Sequence, residues 1–165
     1  MEWGRPIEGD GAPGGEPGDD LTEGPDRDLA GAPARPRGRV LVCDDAEQIR
    51  RLVRVNLEIE GFEVVEAPDG PAAVEILQDR ARPLPDVITL DVIMPRRDGW
   101  WTVSTIRADP RLAHIPIVMV TASAQDRDRA QAERAEVDEF VTKPFDPYEL
   151  VTKIAVLVGS PRPRA

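Results

Sequence analysis

The chain has 165 residues, of which 41% are hydrophobic, enough for one hydrophobic core but not for two. Its formal net charge is −10 and its pI is about 4.6, which argues against a large surface for nucleic acid or anionic lipid, since phosphate binding needs clustered Lys and Arg. We therefore expect protein partners and cations, with no direct contact to nucleic acid or membrane.

The single cysteine, Cys43, lies in an apolar run, which excludes an internal disulfide framework and favours a buried thiol in a reducing compartment. The chain does not open on a basic segment followed by an apolar one. No run approaches the roughly 18 apolar residues that span a bilayer. These features predict a cytoplasmic protein.

Residues 1–38 hold 9 of the 13 glycines and 6 of the 17 prolines, with scarcely any large apolar residues. A segment of this composition buries too little apolar surface to fold, so we predict a disordered, acidic N-terminal extension. The alternative is a binding segment built around Trp3 or Leu21. One domain is predicted at 39–158, followed by a short tail at 159–165.

From Arg39 onward, short apolar runs alternate with amphipathic stretches, which is typical of repeated β-α units and a parallel sheet covered on both faces. The predicted strands are 39–43, 62–66, 86–90, 115–120 and 139–142. The predicted helices are 46–60, one beginning at Pro71, 99–108, 125–135 and 147–158. Gly61 is expected to end the first helix, and Pro71 suits the opening turn of the second. The helix at 125–135 has no apolar residue larger than alanine, so its packing on the sheet should be weak.

Polar residues stand at the ends of four of these strands. Asp44 and Asp45 follow the first, Asp91 the third and Thr121 the fourth, while Lys143 comes just beyond the fifth. Because the carboxyl ends of parallel strands meet at one edge of the sheet, these side chains should share a crevice. Oxygen ligands and an amine in one crevice suit a divalent cation and a phosphoryl group.

Some of these residues also have a simpler interpretation. Asp45 is a good cap for the first helix, and Thr121 alone would be an ordinary strand-end residue. An exposed carboxylate at the position of Asp91 can act as a nucleophile toward phosphorus and form an aspartyl-phosphate. Lys143 is one of two lysines among 21 basic residues, which indicates a specific need for a compact ammonium.

Together these motifs resemble the receiver domain of bacterial two-component response regulators, of the stand-alone, single-domain type. The resemblance covers about residues 39–158 and is carried by four segments. They are Asp44-Asp45, Asp91-Val92-Ile93-Met94-Pro95-Arg96-Arg97-Asp98-Gly99, Thr121-Ala122 and Lys143-Pro144-Phe145.

The resemblance implies a doubly wound, flavodoxin-like α/β fold whose five-stranded parallel sheet has the order 2-1-3-4-5. It implies that Asp91 accepts a phosphoryl group from a phosphohistidine on a sensor histidine kinase or a histidine phosphotransfer protein. Asp45, Asp91 and the backbone carbonyl of Ile93 would bind Mg²⁺, with Asp44 assisting through water. The cation would offset charge on the transferring phosphoryl group.

The resemblance also implies a switch. Once Asp91 is phosphorylated, Thr121 and Lys143 would bind its oxygens, and Phe140 would turn inward as Thr121 moves. The chain departs from the family before the fifth strand, where the usual Gly-Ala is Glu136-Val137. Since glycine serves a positive-φ position there, Glu136 is predicted to be mildly strained, or the turn to be rearranged.

The leading hypothesis is a phosphoacceptor signalling domain without an output domain, which acts on an unknown downstream protein partner. It would not be an enzyme beyond its own phosphorylation and dephosphorylation. One alternative is a receiver-like scaffold that works without phosphorylation. Another is an aspartyl-phosphate phosphatase. It is disfavoured because such enzymes typically carry D-x-D at the nucleophile, and here Ile93 stands in place of the second acid. A nucleotide hydrolase is disfavoured because the chain has no Gly-rich phosphate loop.

Overall fold

The structure is a computed structural model that describes residues 35–122 and 126–159, except for the side chains of 126–129. The predicted extension lies outside the described residues as far as residue 34, and so does the predicted tail from residue 160. The compact unit begins at Arg35. Within it, the Arg37 amide donates a hydrogen bond of 2.9 Å to the Gly61 carbonyl, which ties the start of the unit to the end of the first helix.

Strands and helices alternate throughout the described residues, as the sequence predicts. The elements are β1 (Arg39–Cys43), α1 (Glu47–Ile59), β2 (Glu63–Ala67), α2 (Gly70–Gln78), β3 (Val87–Asp91), α3 (Gly99–Ala108), β4 (Ile117–Thr121), α4 (Asp126–Arg134), β5 (Glu139–Thr142) and α5 (Pro147–Gly159). The predicted bounds of β1 and β5 match these, and those of β2, β3 and β4 differ by one or two residues. In β3 and β4 the ladder extends past the apolar run, because Asp91 pairs with Val120 and Thr121 pairs with Thr142. No described helix has both the length and the apolar character needed to span a bilayer.

The strands form one parallel sheet in the order β2-β1-β3-β4-β5, which confirms the predicted topology. Successive residues of a strand point to opposite faces, and both faces are buried. Leu41, Ile88 and Met119 pack in the core cluster that includes residues of α2 and α3. Val42 and Val120 pack in the cluster that includes residues of α1 and α5. In such sheets a ligand crevice is expected at the carboxyl ends of β1 and β3, where the strand order reverses.

The loops beside this crevice are fixed by local turn chemistry. Gly61 ends α1 with φ +89°, and Pro71 lies in the first turn of α2, as predicted. Asp69 caps α2 by accepting a hydrogen bond from the Ala72 amide. Asp98 caps α3 in the same way, and such caps hold the helix starts close to the strand ends.

The turn after α4 contains a non-glycine residue with a positive φ. Glu136 has φ +60°, which confirms the positive φ predicted for a position where glycine is usual. Of the side chains described in α4, only Ala132 is buried. This agrees with the expectation that α4 contributes little apolar area to the core.

Candidate functional site

Three carboxylates meet at the carboxyl ends of β1 and β3. Oxygens of Asp44, Asp45 and Asp91 all lie within 4.8 Å of one another. Asp44 and Asp91 are 3% and 6% exposed, while Asp45 is open to solvent. Like charges this close repel strongly, so the cluster favours a cation.

Hydrogen bonds in the turn after β1 position the Asp44 carboxylate. Asp44 Oδ1 accepts a hydrogen bond of 2.9 Å from the Ala46 amide, and Arg50 Nη1 donates one of 2.8 Å to the Asp44 carbonyl. The N-cap position of α1 is Ala46, and no side chain caps the helix, so the capping interpretation of Asp45 is wrong. Within the described part of the chain, the Asp45 carboxylate has no hydrogen bond or ion pair, which leaves it available to a ligand.

Lys143 joins the site from the end of β5. Its Nζ donates hydrogen bonds to Asp44 Oδ2 at 2.7 Å and to Asp91 Oδ2 at 3.1 Å. The Lys143 amide donates to the Thr121 carbonyl at 2.7 Å, which ties the ends of β4 and β5 together. The Lys143–Pro144 peptide bond is cis. The structure thus brings Asp44, Asp45, Asp91 and Lys143 into one cluster, as the sequence predicts.

Burial and hydrogen bonding have opposite effects on the pKa values of Asp91 and Lys143. Burial is the largest influence on Asp91 and raises the pKa of that carboxyl, against the lowering effect of the hydrogen bond from Lys143, and the charge of Asp44 raises it further. Burial lowers the pKa of Lys143, but its hydrogen bonds to Asp44 and Asp91 outweigh burial, and the net shift is upward. Lys143 therefore keeps its charge. The cost of burying the Asp91 charge is not fully offset by its hydrogen bond from Lys143.

The remaining predicted site residues lie around this cluster. Thr121 ends β4 and is fully buried, and Phe140 is half-buried in β5 beside Met119. The Ile93 amide donates to Asp91 Oδ1 at 3.2 Å, while its side chain is 66% exposed. Ile93 therefore orients the Asp91 carboxylate through its backbone and leaves its side chain on the rim.

Two contacts at the site go beyond the sequence prediction. A Cβ on Gly99 would lie 2.2 Å from the Asp91 carbonyl oxygen, so this position requires glycine for close approach. The sequence indicates the Asp98-Gly99 pair only as a turn. Arg50 holds the Asp44 carbonyl from one turn inside α1, and no sequence signal separates it from its exposed neighbour Arg51.

Comparison with known proteins identifies the arrangement. Residues 40–155 match the family model for the response regulator receiver domain. The chain belongs to this family. It is 40% identical to the response regulator PleD of Caulobacter vibrioides over 119 residues, which are 72% of this chain and 26% of PleD. The receiver therefore spans about a quarter of that relative.

Solved receiver structures have the same fold. The chemotaxis protein CheY4 of Vibrio cholerae superimposes with a TM-score of 0.68 at 29% identity, over 75% of this chain and 99% of CheY4. The Mn²⁺-bound form of response regulator Rcp1 gives a TM-score of 0.64 at 26% identity, over 74% of this chain and 93% of Rcp1. The predicted family and the CheY-like, flavodoxin-like fold are both confirmed.

The receiver's cysteine lies directly behind the site, and its reactivity is predictable. Burial, reinforced by the charges of Asp69, Asp44 and Asp91, raises the pKa of the Cys43 thiol from 9.0 to about 12. Its Sγ lies 3.3 Å from the Asp69 carbonyl oxygen and 3.6 Å from Met94 Sδ. Because the thiolate is the reactive form, alkylation of the folded receiver should not rise as the pH passes 9.0. Mass spectrometry after iodoacetamide treatment should show slow labelling of the folded protein and complete labelling in urea. Rapid labelling of the folded protein would contradict this burial.

Proposed function

We propose that this receiver is a phosphoacceptor of two-component signalling in which Asp91 is the acceptor. The observation that carries the proposal is the double hydrogen bond of Lys143 Nζ to Asp44 and Asp91 inside a cluster of three carboxylates. Such a site combines an oxygen nucleophile with a fixed positive charge for the oxygens of an incoming phosphoryl group.

The donor set at this edge of the sheet fits Mg²⁺. Carboxylate oxygens are the hard ligands that Mg²⁺ prefers. Asp45 is exposed beside the buried Asp44 and Asp91, so an ion can reach the cluster from solvent. Asp45, Asp91 and the Ile93 carbonyl would hold the ion directly, and Asp44 would act through water. When bound, Mg²⁺ supplies positive charge that offsets the negative charge of the phosphoryl group. The Mn²⁺ in the related Rcp1 structure supports a divalent cation here.

The protein residues then perform one displacement. An Asp91 carboxylate oxygen attacks phosphorus as the phosphorus–nitrogen bond of a phosphohistidine breaks, and the bonding electrons leave with the imidazole. The donor is a sensor histidine kinase or a histidine phosphotransfer protein. Lys143 is charged and already 3.1 Å from Asp91, so it binds the transferred oxygens without large rearrangement.

Thr121 and Phe140 carry the response in this proposal. Thr121 is fully buried at the end of the strand next to Asp91, and its hydroxyl would bind a phosphoryl oxygen once Asp91 is phosphorylated. Phe140 is half-buried on the adjacent strand, and we expect it to turn inward as Thr121 moves. The output is a changed surface for a downstream protein partner. The buried free thiol of Cys43 is consistent with the cytoplasmic location that we include in the proposal.

The first test is phosphoryl uptake by the wild-type chain. With acetyl phosphate and Mg²⁺, intact mass spectrometry should show one phosphoryl adduct, because the carboxylate cluster needs the cation to approach a dianionic donor. EDTA should suppress the adduct, and hydroxylamine should remove it, as expected for an acyl-phosphate. Absence of any adduct with Mg²⁺ present would favour the phosphorylation-independent scaffold. Repeated turnover of a phosphomonoester would favour the phosphatase.

A further inference from the structure

The turn before β5 is held by one arginine of α3. Arg107 is 12% exposed, and its Nη2 donates to the Glu136 carbonyl at 3.0 Å and to Asp138 Oδ2 at 3.2 Å. Its Nη1 donates to the carbonyls of Ala113 and Ile115 at 3.0 and 2.8 Å. A planar guanidinium with several donors can bind this set of acceptors at once, whereas an ammonium cannot match its geometry.

Asp138 extends the contact to both neighbouring strands. Its Oδ2 accepts a hydrogen bond of 2.8 Å from the Ile117 amide, and its own amide donates to the Ile117 carbonyl at 3.0 Å. Ile117 is the first residue of β4, and Glu139 is the first residue of β5. The Arg107–Asp138 pair therefore fixes where the two strands begin relative to each other.

Glu136 gives this contact a particular role. A non-glycine residue at φ +60° is strained and persists only where its surroundings hold it in place. Arg107 binds the carbonyl of that residue, and the Val137 amide donates to the Ala132 carbonyl at 3.0 Å on the same turn. The guanidinium thus stabilises a backbone conformation that glycine adopts without strain.

The strand that follows is short. β5 has only four residues between this turn and Lys143, and it includes Phe140. Because β5 is so short, a displacement of its first residue should also displace Lys143, whose ammonium contacts Asp91. We propose that Arg107 is a positioning residue, which fixes the start of β5 and thereby sets the placement of Lys143 and Phe140. The kinetic part of this inference rests on the proposed function.

A thermal double-mutant cycle tests the link to Glu136 without any phosphorylation. Arg107→Lys should lower the melting temperature, because the lysine ammonium cannot make the hydrogen bonds of the planar guanidinium. Glu136→Gly should raise it in the wild-type background, since glycine relieves the positive φ. Glu136→Gly should raise the melting temperature less in the Arg107→Lys background, because a turn no longer held by Arg107 can relieve the strain at Glu136 without glycine. Additive effects of the two substitutions would overturn the link.

Phosphoryl uptake tests the positioning of Lys143. Arg107→Lys should accept a phosphoryl group from acetyl phosphate about tenfold more slowly, measured well below its melting temperature. Its Mg²⁺ affinity should change less than its uptake rate, because the carboxylates that would hold the ion follow β1 and end β3. The matched control is Arg111→Lys, whose guanidinium donates to the Leu77 carbonyl of α2 and makes no hydrogen bond or ion pair with β5 among the described residues.

The outcomes separate the two proposals. A wild-type rate in Arg107→Lys, or an equal slowing in Arg111→Lys, would overturn the positioning role. If wild-type protein takes up no phosphoryl group, the proposed function fails, while the thermal cycle still decides whether Arg107 holds the Glu136 turn.

Discussion

Asp91→Asn is expected to take up no phosphoryl group from acetyl phosphate and Mg²⁺, under conditions in which the wild-type chain is labelled. The amide nearly matches the carboxylate in size and can still accept the 3.2 Å hydrogen bond from the Ile93 amide. It lacks the anionic oxygen that would attack phosphorus in the proposed reaction, so loss of the adduct would reflect the lost nucleophile and not a change of shape. Intact mass spectrometry of both proteins at equal concentration measures the difference.

The stability of this variant separates lost chemistry from lost folding. Burial raises the pKa of Asp91, so ionisation of this group disfavours the folded state once the pH exceeds the ordinary carboxyl range. At neutral pH without Mg²⁺, the uncharged amide avoids that penalty, and the variant should melt no lower than wild type. Mg²⁺ should stabilise it less than it stabilises wild type, because one ligand has lost its charge.

Asp98→Asn is the matched control for this experiment. Asp98 caps α3 by accepting a hydrogen bond of 2.9 Å from the Trp101 amide, a role that asparagine fills equally well. This variant should keep the phosphoryl adduct at the wild-type level. An adduct that persists in Asp91→Asn would move the acceptor to another residue and remove the central assignment.

Local patterns were enough to predict most of the fold. Apolar runs located the strands, and Gly61 and Pro71 located helix ends, because each of these signals acts within a few residues. Strand order came from the family resemblance, since periodicity does not say which strands are neighbours. Asp91 and Thr121 belong to the ladders although they end the apolar runs, because backbone pairing does not depend on side-chain polarity.

The candidate site was predictable in composition but not in contacts. The polar residues at strand ends indicate which side chains converge, and the structure places Lys143 against carboxylates 99 and 52 positions away. Two features depend on tertiary geometry: the lack of a partner for the Asp45 carboxylate among the described residues, and the hydrogen bond from Arg107 to the Glu136 carbonyl. By contrast, the positive φ of Glu136 was predictable from the family resemblance, because the family usually has glycine at that position.

Gly99→Ala is expected to destabilise the domain by about 3 kcal/mol or more, since overpacking against backbone leaves no side chain free to rotate away. The added Cβ would lie 2.2 Å from the Asp91 carbonyl oxygen and 2.9 Å from the Val92 Cα. The Gly99 amide also donates a hydrogen bond of 2.8 Å to the Val92 carbonyl, so moving α3 away would break that bond. Thermal unfolding should show a melting temperature lower by about 10 °C.

The same substitution should also affect the site, because the clash falls on the backbone of Asp91, the proposed acceptor. Any Gly99→Ala protein that remains folded at low temperature should bind Mg²⁺ more weakly than wild type, since the Asp91 carbonyl must shift. Gly159→Ala is the control, because a Cβ there meets nothing within 4 Å, and alanine favours a helix over glycine by up to about 1 kcal/mol. It should melt at or slightly above the wild-type temperature with unchanged Mg²⁺ binding. Equal melting of Gly99→Ala and Gly159→Ala would contradict the close approach of α3 to the end of β3.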